Sequence, residues 1–271
     1  MSSNLKLPEN NQRLESFGCK LSAGGAHNSR TMMLDEISRL LTSVSDSASA
    51  DEYRKAILEN NILGKGTITT RAKTYRYLRE LYALSDQVPL FVVYRELCFF
   101  DPSSAPLLSL LVAWSRDPLL RATTSAVLSA TVNSEVTKSD LEASIPKTFP
   151  NQYSALNSAK IGRNAASSWT QSGHLSGRSR KVRCLVEPRP AALTLALLLG
   201  HVGSKAGEQI FTTPWCRLLD LNMGQARSLA AQAHREGLIN LRAIGSIVEV
   251  GFPRYKYLLG EKHESGQQTD R

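Results

Sequence analysis

One run of local patterns occurs twice in the second half of this 271-residue chain, and it restricts the possible folds more than any other feature. From Asn157 to Gln171 the apolar residues Ala159, Ile161, Ala165, Ala166 and Trp169 recur at helical spacing. Gly173 follows where a left-handed residue closes a helix, and Arg178 to Glu187 is a short strand-like run stopped by Pro188 and Pro190. Further on, Met223 to Glu236 repeats the helix, with Ala226, Leu229, Ala230 and Ala233 on one face and Gly237 closing it. Leu238 to Ala243 and Ile247 to Phe252 then predict two strands around a Gly245-Ser246 turn.

Two further helices can precede each copy. For the first these are Leu119 to Val132 and Ser139 to Ile145; for the second, Ala191 to His201 and Pro214 to Leu221, with Thr213 as N-cap and Pro214 at the first helical position. Helix, helix, exposed helix, hairpin is the order of a winged helix-turn-helix. The first wing is a single charged strand with no obvious partner; the second has its turn.

The remainder reads as helical. Met33, Leu34, Ile37, Leu40 and Leu41 mark one helix, and Asp51 resembles the N-cap of a short second one. A third runs from about Thr69 to Ser85, with Arg71, Lys73, Arg76 and Arg79 on its polar side, and Leu90 to Phe99 and Leu107 to Ser115 follow. The expected architecture is mainly α: a loosely ordered amino-terminal arm (1–30), a helical bundle (31–118), two tandem winged-helix-like modules with short β-hairpins (119–188 and 189–260) and a polar tail (261–271). Trp114, Trp169 and Trp215 fall at apolar helical positions and are expected in the core.

Ala191 to Val202 is the most apolar stretch, but it falls short of the ~20 residues that cross a bilayer, so it predicts a core helix. Residues 1–25 contain no apolar signal-like run, and Cys19, Cys98, Cys184 and Cys216 never approach C-x-x-C spacing. Reduced thiols, no membrane association and a cytosolic location are the expectations.

Charge supplies the functional signal. The chain carries 33 Lys and Arg against 24 Asp and Glu, a net +9, which favours a polyanionic partner. Between Lys160 and Arg189 the cations Lys160, Arg163, Arg178, Arg180, Lys181, Arg183 and Arg189 face Glu187 alone. Arginine forks bind phosphate oxygens bidentately, and a basic wing beside an exposed helix can follow a DNA backbone while the helix enters the major groove. Lys160, Arg163 and Asn164 on the helix, with Arg178, Arg180, Lys181 and Arg183 on the wing, are the principal candidate contacts. Gln225, Arg227, Arg235 and Arg242 are their counterparts in the second module. A solvated charge run is the plainer alternative for either set.

Enzyme signatures are absent from the sequence: no G-x-x-x-x-G-K-[ST], no H-E-x-x-H and no G-x-S-x-G. His27, His174, His201, His234 and His263 are dispersed, with His174 at most a cation at a helix end, and Glu249 with Lys256 lacks the compact spacing of a nuclease site. No catalysis, cofactor or metal is expected.

Several runs resemble a known family. Ile62-Leu63-Gly64-Lys65, Thr70 to Lys73, Tyr77 to Tyr82, Ser115 to Arg121 and above all Ser167-Ser168-Trp169-Thr170-Gln171-Ser172-Gly173-His174-Leu175 are similar to the BrxA proteins of bacteriophage-exclusion (BREX) systems. The similarity runs from about Cys19 to Phe252; the tail after Leu259 and the extended head depart from it. The resemblance implies a mostly helical, non-catalytic, cytosolic protein that binds double-stranded DNA beside other BREX components. Two readings compete with it: an adaptor whose basic charge is incidental, and a divergent nuclease.

Overall fold

A computed structural model describes residue 7 and residues 11–244 and 247–260. The expected Gly245-Ser246 turn and 261–271 tail therefore lie outside the described residues, as does most of 1–10.

The amino-terminal half is a stack of helices: α1 (Gln12–Phe17), α2 (Leu34–Ser43), α3 (Ala50–Leu58), α4 (Ile68–Tyr82), α5 (Pro89–Phe100) and α6 (Ala105–Arg116). Side-chain caps set their starts. Ser49, not Asp51, caps α3, exchanging hydrogen bonds with Glu52 in a capping box, and the Thr67 hydroxyl accepts the Thr70 N–H at α4. The expected loose arm is corrected over residues 11–30. Leu14, Phe17, Cys19, Ala26 and His27 are all buried, because the apolar residues of α1 and the 3-10 turn Ala26–Asn28 face the core. Sparse spacing hid them from a periodicity reading.

The carboxyl-terminal half supplies the element that the bundle wraps. Helix α11 (Pro190–Val202) buries every residue except His201, packing on α1, α5 and α6 on one side and on α12 (Pro214–Arg217) and α13 (Met223–Arg235) on the other. A helix apolar all round must lie inside a core when it is too short to span a bilayer. Trp114 of α6 and Trp215 of α12 meet edge to face, with centroids 6.1 Å apart, and the Trp215 indole donates to Ser115 Oγ at 2.8 Å. One apolar core runs from Leu7 to Tyr255, so the bundle and the second module share their interior. All three tryptophans are buried, as expected.

The first module contains α7 (Pro118–Ala122), α8 (Thr124–Leu128), α9 (Lys138–Thr148), α10 (Ala155–Gln171), β1 (Leu175–Ser176) and β2 (Val182–Arg183). The single helix expected over Leu119–Val132 is broken at Thr123, whose hydroxyl donates to Leu120 O at 2.8 Å and accepts the Trp169 indole N–H at 2.9 Å. The wing that had no visible partner has two. Strand β2 pairs antiparallel with β1, and Val182 also bridges Glu135, just ahead of α9. Residues 178–181, expected as strand, form the loop between β1 and β2. The order is thus two short helices, a bridge, two longer helices and a hairpin. The second module ends in β3 (Asn240–Ile244) and β4 (Ile247–Gly251), paired from Asn240↔Gly251 to Ile244↔Ile247, before α14 (Lys256–Leu259). The chain is thus mainly helical, with two small antiparallel hairpins.

Candidate nucleic-acid interface

A basic cleft lies between the amino end of α9, the solvent face of α10 and the β1–β2 loop, enclosing about 810 Å³. A capping box between Thr137 and Asp140 fixes the start of α9. Gly162 lets α10 approach it, since a Cβ there would lie 3.1 Å from Glu142 Cγ and 3.2 Å from the Glu142 backbone nitrogen. The wing loop closes the third side through Gly177, at φ 89°, and Lys181, whose ammonium donates to Gly177 O at 2.6 Å. Lys138, Arg163, Arg178 and Lys181 are the cations of the lining, and Glu135 and Glu142 its carboxylates.

Of the predicted contacts on α10, Lys160 and Arg163 are exposed one turn apart and have no ion-pair partner among the described residues. Leu156, exposed at the helix start, continues their stripe at helical spacing, and Ser167 carries it into the cleft. Asn164 points the other way: its amide donates to His27 O at 2.8 Å, so it is committed to the core. On the wing, Arg178 is exposed without an ion-pair partner among the described residues, and burial pulls the Lys181 ammonium below its ordinary pKa.

Two wing residues depart from the predicted ridge. Arg180 is exposed but held by Glu135, Nε to Oε2 at 2.9 Å. Arg183 is a correction, because it is 2% exposed, ion-paired with Asp220 and bonded to Cys184 O. It faces inward because the two-residue strand alternates, sending Val182 to the outer side and Arg183 to the protein side. The cationic surface is therefore Lys138, Lys160, Arg163, Arg178 and Lys181, with Arg180 shared. Lys138 escaped the sequence reading, although its place directly after the Thr137 cap was visible.

The second module provides no matching surface. Gln225 caps its own helix by accepting the Asn222 N–H at 3.0 Å, Arg227 is ion-paired with Glu208, and Arg242 stands opposite Glu249 across the hairpin. Arg242 lines a separate cleft of about 380 Å³ with His201, Glu249 and Lys256. Arg235 and Arg242 are both exposed, and neither has an ion-pair partner among the described residues.

Asp117, Ser168, Trp169 and His174, from the two most specific runs of the family resemblance, lie in the interior. His27 Nδ1 is 2.7 Å from Asp117 Oδ2 and its Nε2 2.7 Å from Ser168 Oγ, with all three residues at most 1% exposed. This Asp-His-Ser geometry resembles a catalytic triad, yet it has no access to substrate, and its atoms are used structurally. Asp117 caps α7, accepting the Leu119 N–H at 2.9 Å, and Ser168 Oγ accepts the Met32 N–H at 2.8 Å. Burial pushes the Asp117 carboxyl up, but the charge and hydrogen bonds of His27, with the Leu120 N–H, outweigh it and leave the group below its ordinary pKa. His174 is not a helix-end cation. It is buried against the Trp169 ring at 5.0 Å, contacts Leu218 O through Nε2 at 2.8 Å, and is driven down to about pKa 4 chiefly by burial.

Among the described residues, no group of three or more His, Cys, Asp or Glu side chains could hold a metal ion, and no helix is long and apolar enough to cross a membrane. The cysteines are free thiols, with Cys19, Cys98 and Cys216 buried. Compared with models of protein families and with curated proteins, the chain matches none.

Proposed function

We propose that this chain is a non-enzymatic double-stranded DNA-binding protein and that the α9–α10–wing cleft is its contact. The observation that carries the proposal is the convergence of Lys138, Arg163, Arg178 and Lys181 on one cleft from three separate elements. A charge run that was merely solvated would not be joined by a cation from another helix. In a winged helix the exposed face of the third helix reads the major groove while the wing tracks the backbone. Leu156, Asn157, Lys160 and Arg163 are exposed on that face, and the wing carries the exposed Arg178 and Arg180 with the half-buried Lys181. Asn157 and Arg163 have the functional groups to address base edges, and Leu156 can contact a thymine methyl.

The resemblance to BrxA proteins supports placing the activity in a BREX phage-restriction system, beside other components of that locus. Of the residues with the most specific resemblance, Asp117, Ser168, Trp169, Ser172 and His174 lie inside the protein, so they support this only as determinants of a shared fold.

The test is a duplex-binding titration of the full chain against the Arg163→Glu/Arg178→Glu/Lys181→Glu variant. Arg183 stays intact, so that lost binding reports on the surface and not on folding. Abolished binding by a folded variant supports the proposal; undiminished binding removes the cleft as the contact and, with co-purifying partner proteins, favours the adaptor reading.

A further inference from the structure

A second cluster of charge lies away from the α9–α10 cleft and shares no residue with it. The loop after α1 and the carboxyl ends of α4 and α6 enclose about 360 Å³, with Lys20, Arg76, Arg79 and Arg116 in the lining and Glu80 as the single carboxylate. None of the four cations is ion-paired with a described residue. Arg116, 8% exposed, spends its donors on main-chain oxygens, with Nε donating to Glu80 O at 3.1 Å and Nη1 to Gly18 O. The Arg76 guanidinium lies over the Tyr77 ring at 4.5 Å, and that of Arg79 over Tyr75 at 5.8 Å.

The chain holds Lys20 firmly by its backbone. Its N–H donates to Ser115 O at 3.0 Å, and its carbonyl accepts Arg121 Nη2 at 2.6 Å. Two residues earlier, Gly18 adopts φ 116° where a Cβ would meet Val88 Cγ1 at 2.5 Å, so the loop fits only with glycine there. Lys20 is half-buried, and among the described residues its ammonium has no hydrogen-bond partner. Burial first, and Arg116 next, pull that ammonium below its ordinary pKa, with Glu80 and Asp117 opposing only in part. A cationic group fixed beside other cations in a partly desolvated cleft is relieved by an anion, and guanidinium forks match phosphoryl oxygens bidentately.

We infer that this cleft is a phosphate-binding site, in which Lys20, Arg76 and Arg79 take the phosphoryl oxygens and Arg116 forms a positive inner wall. The phosphate comes either from a free phosphate or diphosphate, or from a nucleic-acid backbone passing over this face. Arg116 also caps the carboxyl end of α4, so it is left unchanged in the test.

Thermal unfolding of the full chain is followed with pyrophosphate, against sodium chloride of matched ionic strength. At a hundredfold excess over Kd, the wild type rises in Tm by roughly 5 °C, and the Lys20→Gln/Arg79→Gln variant loses that rise. The same variant is titrated with duplex over a salt series. A salt slope shallower by about one or two units identifies the backbone as the source; an unchanged slope with a lost pyrophosphate response identifies a free phosphate. If the double variant is unfolded by circular dichroism, Arg76→Gln, at an exposed position, replaces it. The Arg163→Glu/Arg178→Glu/Lys181→Glu variant keeps its pyrophosphate response, so failure of the other cleft leaves this site standing. A pyrophosphate rise retained by the Lys20 variant, or no rise together with unchanged duplex binding, overturns the inference.

Discussion

Arg183, on the wing of the first module, is ion-paired with Asp220, which lies between α12 and α13 of the second, and both side chains are under a tenth exposed. Asp220 also accepts the Val186 N–H at 3.2 Å, so one carboxylate fastens both the wing strand and the segment that follows it to the neighbouring module. The pair removes a cation from the proposed DNA-contact set and uses it to hold the wing in place.

Breaking the pair from either side leaves a buried charge alone. Arg183→Ala and Asp220→Ala are each expected to lower unfolding free energy by about 3–5 kcal/mol in urea titrations, and the double variant by less than their sum. Additive losses would show that the two groups do not act as a pair.

His174 makes stability depend on pH in a definite direction. The unfolded chain binds a proton at this position below about pH 6.5, whereas the folded protein excludes it until about pH 4. Its contribution is therefore complete above 6.5 and is lost as pH falls through that window, by roughly 3 kcal/mol in all. Proton NMR of the imidazole checks this directly. A resonance titrating near 6.5 in the folded protein would contradict it.

The His27–Asp117–Ser168 network is expected to govern stability, not turnover. Ser168→Ala strips the Met32 N–H of its acceptor and His27 Nε2 of its partner, at a cost of about 1–3 kcal/mol. Gly25→Ala should cost at least as much, because a Cβ there would sit 2.0 Å from Asp117 Oδ1. Denaturant midpoints of the two variants provide the measurement, and wild-type values would show the network to be dispensable.

In the proposed DNA complex, Glu135 and the phosphate backbone compete for Arg180. Neutralising it in Glu135→Gln removes a carboxylate from the cleft and releases the guanidinium. Exposed pairs of this kind are worth about 0.2–1 kcal/mol, so duplex affinity should rise by roughly 1.4- to 5-fold at low salt and by less as salt increases. Weaker binding by this variant would mean that Arg180 must be held by Glu135 to make its contact.

Helices with regular apolar spacing were legible in the sequence, as were the closing Gly173 and the Thr213-Pro214 start, because those signals are local. Long-range partners left no such trace. Leu175–Ser176 is too short to show an alternating pattern, so the strand that completes the first wing was hidden. Arg183 looked like its exposed neighbours because Asp220 lies 37 residues away. The same holds for His27, which meets Ser168 across 141 residues and turns an apparently loose arm into core. Of the candidate site, Lys160, Arg163, Arg178 and Lys181 stood in the sequence as a basic run, while Lys138 joined them only through the packing of α9 on α10.

The most direct measurement is the salt dependence of duplex binding by the wild type and by the Arg163→Glu/Arg178→Glu/Lys181→Glu variant. If about four or five cations of the cleft each neutralise one phosphate, the wild-type plot of log K against log salt falls with a slope near −4, and the folded variant shows no measurable specific binding or a slope shallower by about three. Equal slopes and affinities for the two proteins would contradict the assignment of the α9–α10–wing cleft as the DNA contact.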